Sequence, residues 1–320
     1  MTTYLLRRLV QFVPMLLGIA VAAFLLIHLA PGDPIVALAG EYGDASYYAF
    51  MRAKFGLDRP IGEQLVVYLA TILRGDLGTS YAYGQPVVQV ILSRLPATLL
   101  LMGTALVASS LIGVALGVLA ARYPYSLGDF GISTLSLTGY AIPVFWLAQM
   151  LILLLALKLD WLPVQGMTTA RHRYEGLAYG LDVARHMILP VAALTIQELA
   201  LITRLMRTNL LEVLDQDFIR TARAKGLPEW RVMRTHALRN ALLPVVTVIG
   251  GRIGFLFAGT VLTETVFAWP GIGRLMVAAI LNRDFPILMG LFIMTSVTVL
   301  VANLITDLAY AFLDPRIRYR

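Results

Sequence analysis

The sequence predicts an all-α membrane protein with six spanning helices. Three observations carry that reading. The 320 residues are 58% hydrophobic and only 14% charged, against roughly 45–50% apolar and about 25% charged in soluble domains. Four long stretches hold no Asp, Glu, Lys or Arg: Leu9–Gly32, Leu95–Ala121, Ile132–Leu157 and Phe285–Thr306. The basic residues also sort to one side of the spans. So little charge cannot cover a globule with polar surface, which argues against a soluble enzyme, and the apolar content excludes a disordered chain. With no cysteine, disulfide frameworks, thiolate zinc sites and cysteine nucleophiles are excluded.

A spanning helix needs about 20 mostly apolar residues. The first candidate runs over about 10–30. Arg7-Arg8 ahead of it has the form of a secretory signal, and Ala37-Leu38-Ala39 fits a cleavage site. The apolar run exceeds the roughly 7–15 residues of a signal core, so it is read as a span. The next two spans are expected at 97–121 and 132–157. Two more are interrupted by charge: 187–206 holds Glu198 and Arg204, and 244–267 holds Arg252 and Glu264. The last is expected at 287–312. Pro14, Gly113, Gly117, Pro143, Gly250, Gly251 and Gly254 fall inside spans. They argue little against helix there, because neighbouring helices re-satisfy freed backbone groups.

Sidedness follows from the bases. Segments 1–9, 122–131, 204–243 and 313–320 carry fourteen Lys and Arg against six acids. Segments 31–94, 158–186 and 268–286 carry eleven against ten. The positive-inside rule puts the first set, with both termini, in the cytoplasm.

The chain divides into a cytoplasmic tip and first span (1–30), an extracytoplasmic insertion between the first and second spans (31–94), a core of five spans (95–312) and a cytoplasmic tail (313–320). Within the insertion, Leu65, Val66, Leu69, Ile72 and Leu73 recur at helical spacing over Glu63–Leu73. Val87–Leu95 reads as a separate short amphipathic helix on the membrane surface. The insertion is either a cap linking two spans or a docking surface. The strongly basic segment is 204–243. Gln216–Lys225 and Glu229–Arg239 read as two helices broken at Gly226-Leu227-Pro228, since Gly ends a helix and Pro suits a first turn. Asp215 or Asp217 is the expected cap of the first helix. The bland reading of this elbow is contact with anionic head groups; the functional one is a protein-docking element.

Enzymatic chemistry is not legible. There is no G-x-x-x-x-G-K-[ST] phosphate loop and no H-E-x-x-H. His28, His172, His186 and His236 lack metal-like spacing. The basic loop lacks the interleaved aromatics of a single-strand binder, so no nucleic-acid partner is expected. Glu198, Arg252, Glu264 and Asp307 lie within spans, where a charge costs at least about 2.5–3.5 kcal/mol. They are expected to face the bundle interior and pair, Arg252 with Glu198 or Glu264. An interhelical tie and a pathway lining both fit.

Several strings then stand in order: Leu29-Ala30-Pro31-Gly32-Asp33-Pro34, Phe55-Gly56-Leu57-Asp58-Arg59-Pro60, Arg74-Gly75-Asp76-Leu77-Gly78-Thr79-Ser80, Ile142-Pro143-Val144-Phe145-Trp146, Trp161-Leu162-Pro163, Asp217 through Leu227, His236 through Pro244, Phe267 through Gly273, and Leu313-Asp314-Pro315-Arg316. Over nearly its whole length the chain resembles the first-type permease of the dipeptide/oligopeptide/nickel ABC importers. That resemblance implies a type I ABC importer permease fold. It also implies that the cytoplasmic segment is the loop that couples permease to ATPase, written E-A-A-x-x-x-G-(x)9-I-x-L-P. With Gly226 as anchor, its first positions are Arg220, Thr221 and Ala222, and its last are His236, Ala237, Leu238 and Arg239. Arg stands for the Glu and for the final Pro, departures that resemble the peptide branch.

The resemblance makes Asp217, Phe218, Arg220, Thr221, Ala222, Arg223, Lys225 and Gly226 the expected coupling residues. It implies a non-catalytic subunit of a bacterial-type cytoplasmic (inner) membrane, working with a second homologous permease, two P-loop ATPase subunits and an extracytoplasmic substrate-binding protein. ATP and Mg would bind the ATPases, with no cofactor on this chain. The expected cargo is a dipeptide or oligopeptide. Nickel, glutathione or another small solute is the alternative within the family. A stand-alone secondary transporter or channel is the alternative outside it, and would call for inverted repeats, of which none is evident.

Overall fold

The computed structural model describes residues 2–29, 35, 44–170, 172 and 174–313, with side chains described outside 2–6, 9, 55, 253–259, 302, 303 and 305–313. The described residues form helices joined by turns and loops, with one isolated bridge between Thr79 and Pro86. Two compact units emerge, one formed chiefly by Met1–Thr98 and Pro270–Leu304, the other by Leu99–Trp269.

The first unit begins with α1 (Thr2–Leu29). Its Val10–Leu29 stretch is long and apolar enough to cross a membrane. α2 (Ala45–Phe55) starts where the Asp44 carboxylate accepts the Tyr47 N–H at 2.7 Å, and stops at Gly56, whose φ of 68° favours glycine. α3 (Ile61–Leu73) follows, at the place the apolar spacing predicted. α4 (Val87–Arg122) is one helix of 36 residues. It differs from the expected surface helix followed by a separate span. Pro96 costs up to about 3 kcal/mol in a helix interior. Packing outweighs it: Val87, Ile91 and Leu101 are fully buried on both sides of the proline.

Leu99–Trp269 is organised around α7 (Gly176–Leu214), onto which neighbouring helices pack through their own glycines. A Cβ on Gly113 of α4 would lie 2.8 Å from Ile202, and one on Gly117 would lie 2.6 Å from Met206. The small-xxx-small spacing lets α4 lie directly on α7, as in lipid-embedded helix pairs. α5 (Leu127–Ala141) approaches α7 at Gly139 in the same way, 2.7 Å from Ile196.

The expected span 132–157 is not a straight helix. α5 ends at Ala141, and α6 (Val144–Leu151) restarts after Pro143 and runs into a π-helical segment, Ile152–Lys158. The two arms are bent by 101°. Pro143 disfavours the helical region for the residue before it, and Ile142 is extended, with φ −77° and ψ 126°. By contrast Pro14, Pro190 and Pro244 sit inside continuous helices. In the segment between Lys158 and α7, Thr169 donates its N–H and Oγ1–H to the carboxylate of Asp182 on α7, both at 2.7 Å.

After α7 come α8 (Asp217–Ala224), a turn, a short helical start at Glu229–Arg231, a π-helical stretch Val232–Ala237, and α9 (Leu238–Val266). The second arm of the elbow therefore runs on into a long helix beyond Arg239. Returning to the first unit, α10 (Ile272–Leu281) opens with its Ile272 N–H bonded to Thr98 Oγ1 at 2.7 Å. α11 (Phe285–Leu313) is capped by Asp284. Among the described residues, Val10–Leu29, α4 and α7 have the length and composition of spans, and the bent α5–α6 pair makes a fourth if counted as one.

Candidate functional site

α8 is a two-faced helix. Ile219 and Ala222 are buried, and join a core of Ile202, Met206, Leu210, Val232, Ala237 and Ala241. Asp217, Phe218, Arg220, Thr221, Arg223 and Lys225 are exposed. Eight residues make barely two turns, too short to hold a helix alone, so burial of Ile219 and Ala222 fixes it. Neither Asp215 nor Asp217 caps it: Gln216 occupies the N-cap position and makes no side-chain cap bond. The helix ends by backbone geometry instead. Gly226 has φ 73°, its N–H bonds the Arg223 carbonyl at 2.9 Å, and Leu227 N–H bonds the Ala222 carbonyl at 3.4 Å. Pro228 then starts the next helix.

The elbow is braced by a two-point ion pair. Arg223 Nε and Nη2 donate to the two Glu229 carboxylate oxygens at 3.1 and 2.7 Å. The guanidinium holds the Glu229 carboxyl below its ordinary range, and Glu229 in turn raises Arg223. Arg220 lies 3.5 Å from Asp217 one turn away, an exposed pair of small worth. So Ala222 holds α8 onto the body, while Phe218, Arg220, Thr221 and Lys225 present outward.

A second two-point pair lies beside the elbow and has no counterpart in the sequence reading. Arg207 of α7 donates from Nε and Nη2 to both Asp129 oxygens at 2.6 Å. Asp129 also accepts the Tyr125 N–H at 2.8 Å, and its own N–H reaches Ser126 Oγ at 3.2 Å. The Arg207 hydrogen bonds outweigh the opposing effect of burial and hold the Asp129 carboxyl below its ordinary range. The string Ser126-x-x-Asp129 before an apolar run is a capping-box signal that could have flagged it.

The candidate pathway residues resolve unequally. Arg252 of α9 donates to both carboxylate oxygens of Glu198 on α7, at 2.8 and 2.7 Å. Glu264 is fully buried. The Asp307 side chain lies outside the described residues, as do Ala37-Leu38-Ala39 and the tail 314–320. In the other unit, Asp284 accepts from Ser80 Oγ at 2.5 Å, Tyr81 N at 3.2 Å and Ala82 N at 3.0 Å. It pins the Thr79–Pro86 loop to the head of α11. Asp before an apolar run is an N-cap signal, but nothing local pointed to a loop two hundred residues away.

Long apolar helices define a membrane protein, and its polar elbow is braced by the Arg223–Glu229 pair. The comparisons narrow the class. Residues 113–319 match the family described as "Binding-protein-dependent transport system inner membrane component", and residues 1–102 match "Binding-prot-dependent transport system membrane comp, N-term". The chain belongs to this family of binding-protein-dependent transport system inner membrane components. It is 41% identical to the oligopeptide transport system permease protein AppB of Bacillus subtilis (strain 168), over 100% of both chains. It is 40% identical to the dipeptide transport system permease protein DppB of Escherichia coli (strain K12), again over 100% of both. In fold it is similar to a chain of the inward-facing MetNI methionine ABC transporter, with TM-score 0.56 and 16% identity over 71% of this chain and 97% of that one. An amino acid ABC transporter chain gives TM-score 0.50 and 15% identity, over 72% and 95%.

Proposed function

We propose that this chain is the transmembrane permease subunit of an ATP-driven importer. It forms half of the pathway for dipeptides or oligopeptides delivered by an extracytoplasmic binding protein. The observation that carries the reading is full-length identity of 40–41% with chains named for oligopeptide and dipeptide transport. In this reading six helices span the inner membrane with both termini cytoplasmic, and residues 31–94 form an extracytoplasmic insertion. A second permease completes the pathway, and two ATPase subunits bind ATP and Mg. The chain itself does no chemistry.

Coupling is assigned to the outward face of α8. Phe218 enters a groove of the ATPase, Arg220, Lys225 and the exposed side of Arg223 meet its acids, and Asp217 and Thr221 complete the face. Ile219, Ala222 and Gly226 fix the helix's angle. When ATP draws the two ATPases together, α8 moves with them. Through the core it shares with Met206 and Leu210 of α7 and Ala241 of α9, it moves both helices. The ATPases bias two permease states through this contact, which is what coupling requires. Glu198–Arg252 is a tie between α7 and α9, holding both helices in register during that movement.

The test is purification of the subunit from its native membrane. A second permease, two phosphate-loop ATPases and a binding protein carrying peptide support the reading. A nickel- or glutathione-loaded binding protein changes the cargo. Transport by the purified chain alone contradicts it.

A further inference from the structure

We propose that the loop Tyr123–Leu127 is a second contact for the ATPase subunit, set beside α8. This rests on the coupling role and orientation proposed above. Tyr125 has φ 61°, the left-handed region, which costs an L-residue roughly 1–2 kcal/mol. A buried device maintains that strain. The Asp129 carboxylate, 5% exposed, receives the Tyr125 N–H while Arg207 grips both of its oxygens. Ser126 caps α5 immediately afterwards. What all this holds in place is exposed: Tyr125 is 92% and Leu127 90% accessible, and Tyr123 is exposed too. Strained backbone kept by over-determined surroundings is a feature of functional sites.

The loop forms one wall of a groove of about 850 Å³. The opposite wall is the elbow itself: Arg223, Glu229, Trp230 and Arg234. An ATPase docked on α8 therefore lies next to this groove, and one partner surface can engage both. The charges state what it must offer. Arg223 and Glu229 satisfy each other, leaving Arg122 and Arg234 against Asp215. A partner segment with an apolar or aromatic residue and an acid fits. Anionic lipid is the less suitable occupant. Its head groups meet the Asp215 carboxylate, and a fluid surface gains nothing from a fixed backbone.

The experiment uses the full complex of both permeases and both ATPases in lipid nanodiscs. A photo-crosslinking benzophenone side chain at position 125 is expected to join the ATPase, while the same group at exposed Tyr83 in the other unit does not. Tyr125→Gly removes the ring and relieves the strain, so the subunit keeps or gains thermal stability. It is expected to weaken ATPase binding about tenfold, the scale of a tyrosine anchor, and Tyr125→Phe restores it. Crosslinking to lipid alone, or wild-type ATPase affinity in Tyr125→Gly, overturns the inference. Deletion of α8 is the separate arm. If ATPase binding survives it, the coupling role fails; if only the Tyr125 arms are negative, the coupling role stands without this second contact.

Discussion

Arg252 and Glu198 meet across α9 and α7 through two hydrogen bonds of 2.8 and 2.7 Å. The pair realises one of the two partnerships that the sequence offered Arg252, the one with Glu198. Removing one member of a buried pair leaves the other charge uncompensated, at about 3–5 kcal/mol, whereas removing both costs far less. Arg252→Leu is expected to impair assembly or transport, and Glu198→Leu with Arg252→Leu to recover part of it. Expression, thermal unfolding in detergent and uptake are the readouts. Unchanged values in Arg252→Leu contradict the tie.

The Asp129–Arg207 pair makes a pH-dependent contribution. The folded Asp129 carboxyl is held below its ordinary value, so its stabilisation is fully present above the unfolded value, about 3.9. It fades as pH falls through the lower folded value. Asp129→Asn lacks it at every pH. Unfolding of the two proteins is expected to differ by about 1–3 kcal/mol near neutrality, with the gap narrowing only below about pH 4. A gap that closes nearer pH 6 assigns the effect to another group.

Gly117 separates packing from propensity. An added Cβ meets Met206 Cβ at 2.6 Å and the Thr203 carbonyl oxygen at 2.7 Å, whereas at Gly103, also in α4, nothing lies within 4 Å. Gly117→Ala is expected to lose about 1–3 kcal/mol by overpacking. Gly103→Ala is expected to be neutral or stabilising, because alanine favours helix. Equal effects at both sites refute the close α4–α7 contact.

Asp284 holds a loop and a helix head at once. Asp284→Ala removes the acceptor of the Ser80 Oγ–H and of the Tyr81 and Ala82 N–H groups. Protease cleavage within Tyr81–Gln85 is expected to accelerate, with a stability loss of about 1–3 kcal/mol. Wild-type resistance to cleavage counts against the latch.

What could be read from the residues divides by distance along the chain. Local signals worked: apolar spacing placed α3, and Gly226-Leu227-Pro228 placed the break after α8. Where local rules and packing compete, reading failed in both directions. A surface helix at Val87–Leu95 and a separate span at 97–121 were expected, yet α4 runs unbroken over both because Val87, Ile91 and Leu101 are buried. Pro143 was taken as harmless, yet the chain bends by 101° there. The Asp129–Arg207 and Ser80–Asp284 pairs join residues 78 and 204 positions apart, which no window along the chain contains.

The central claim is that α8 transmits the ATPase's work to the permease. Gly226→Pro tests it most directly, because proline, with φ locked near −65°, cannot adopt the 73° that ends α8. In liposomes holding the full complex, substrate-stimulated ATP hydrolysis and uptake are measured together, with subunit insertion checked by membrane fractionation. The account predicts that the variant inserts normally while both activities are lost. Normal uptake coupled to hydrolysis in that variant would contradict it.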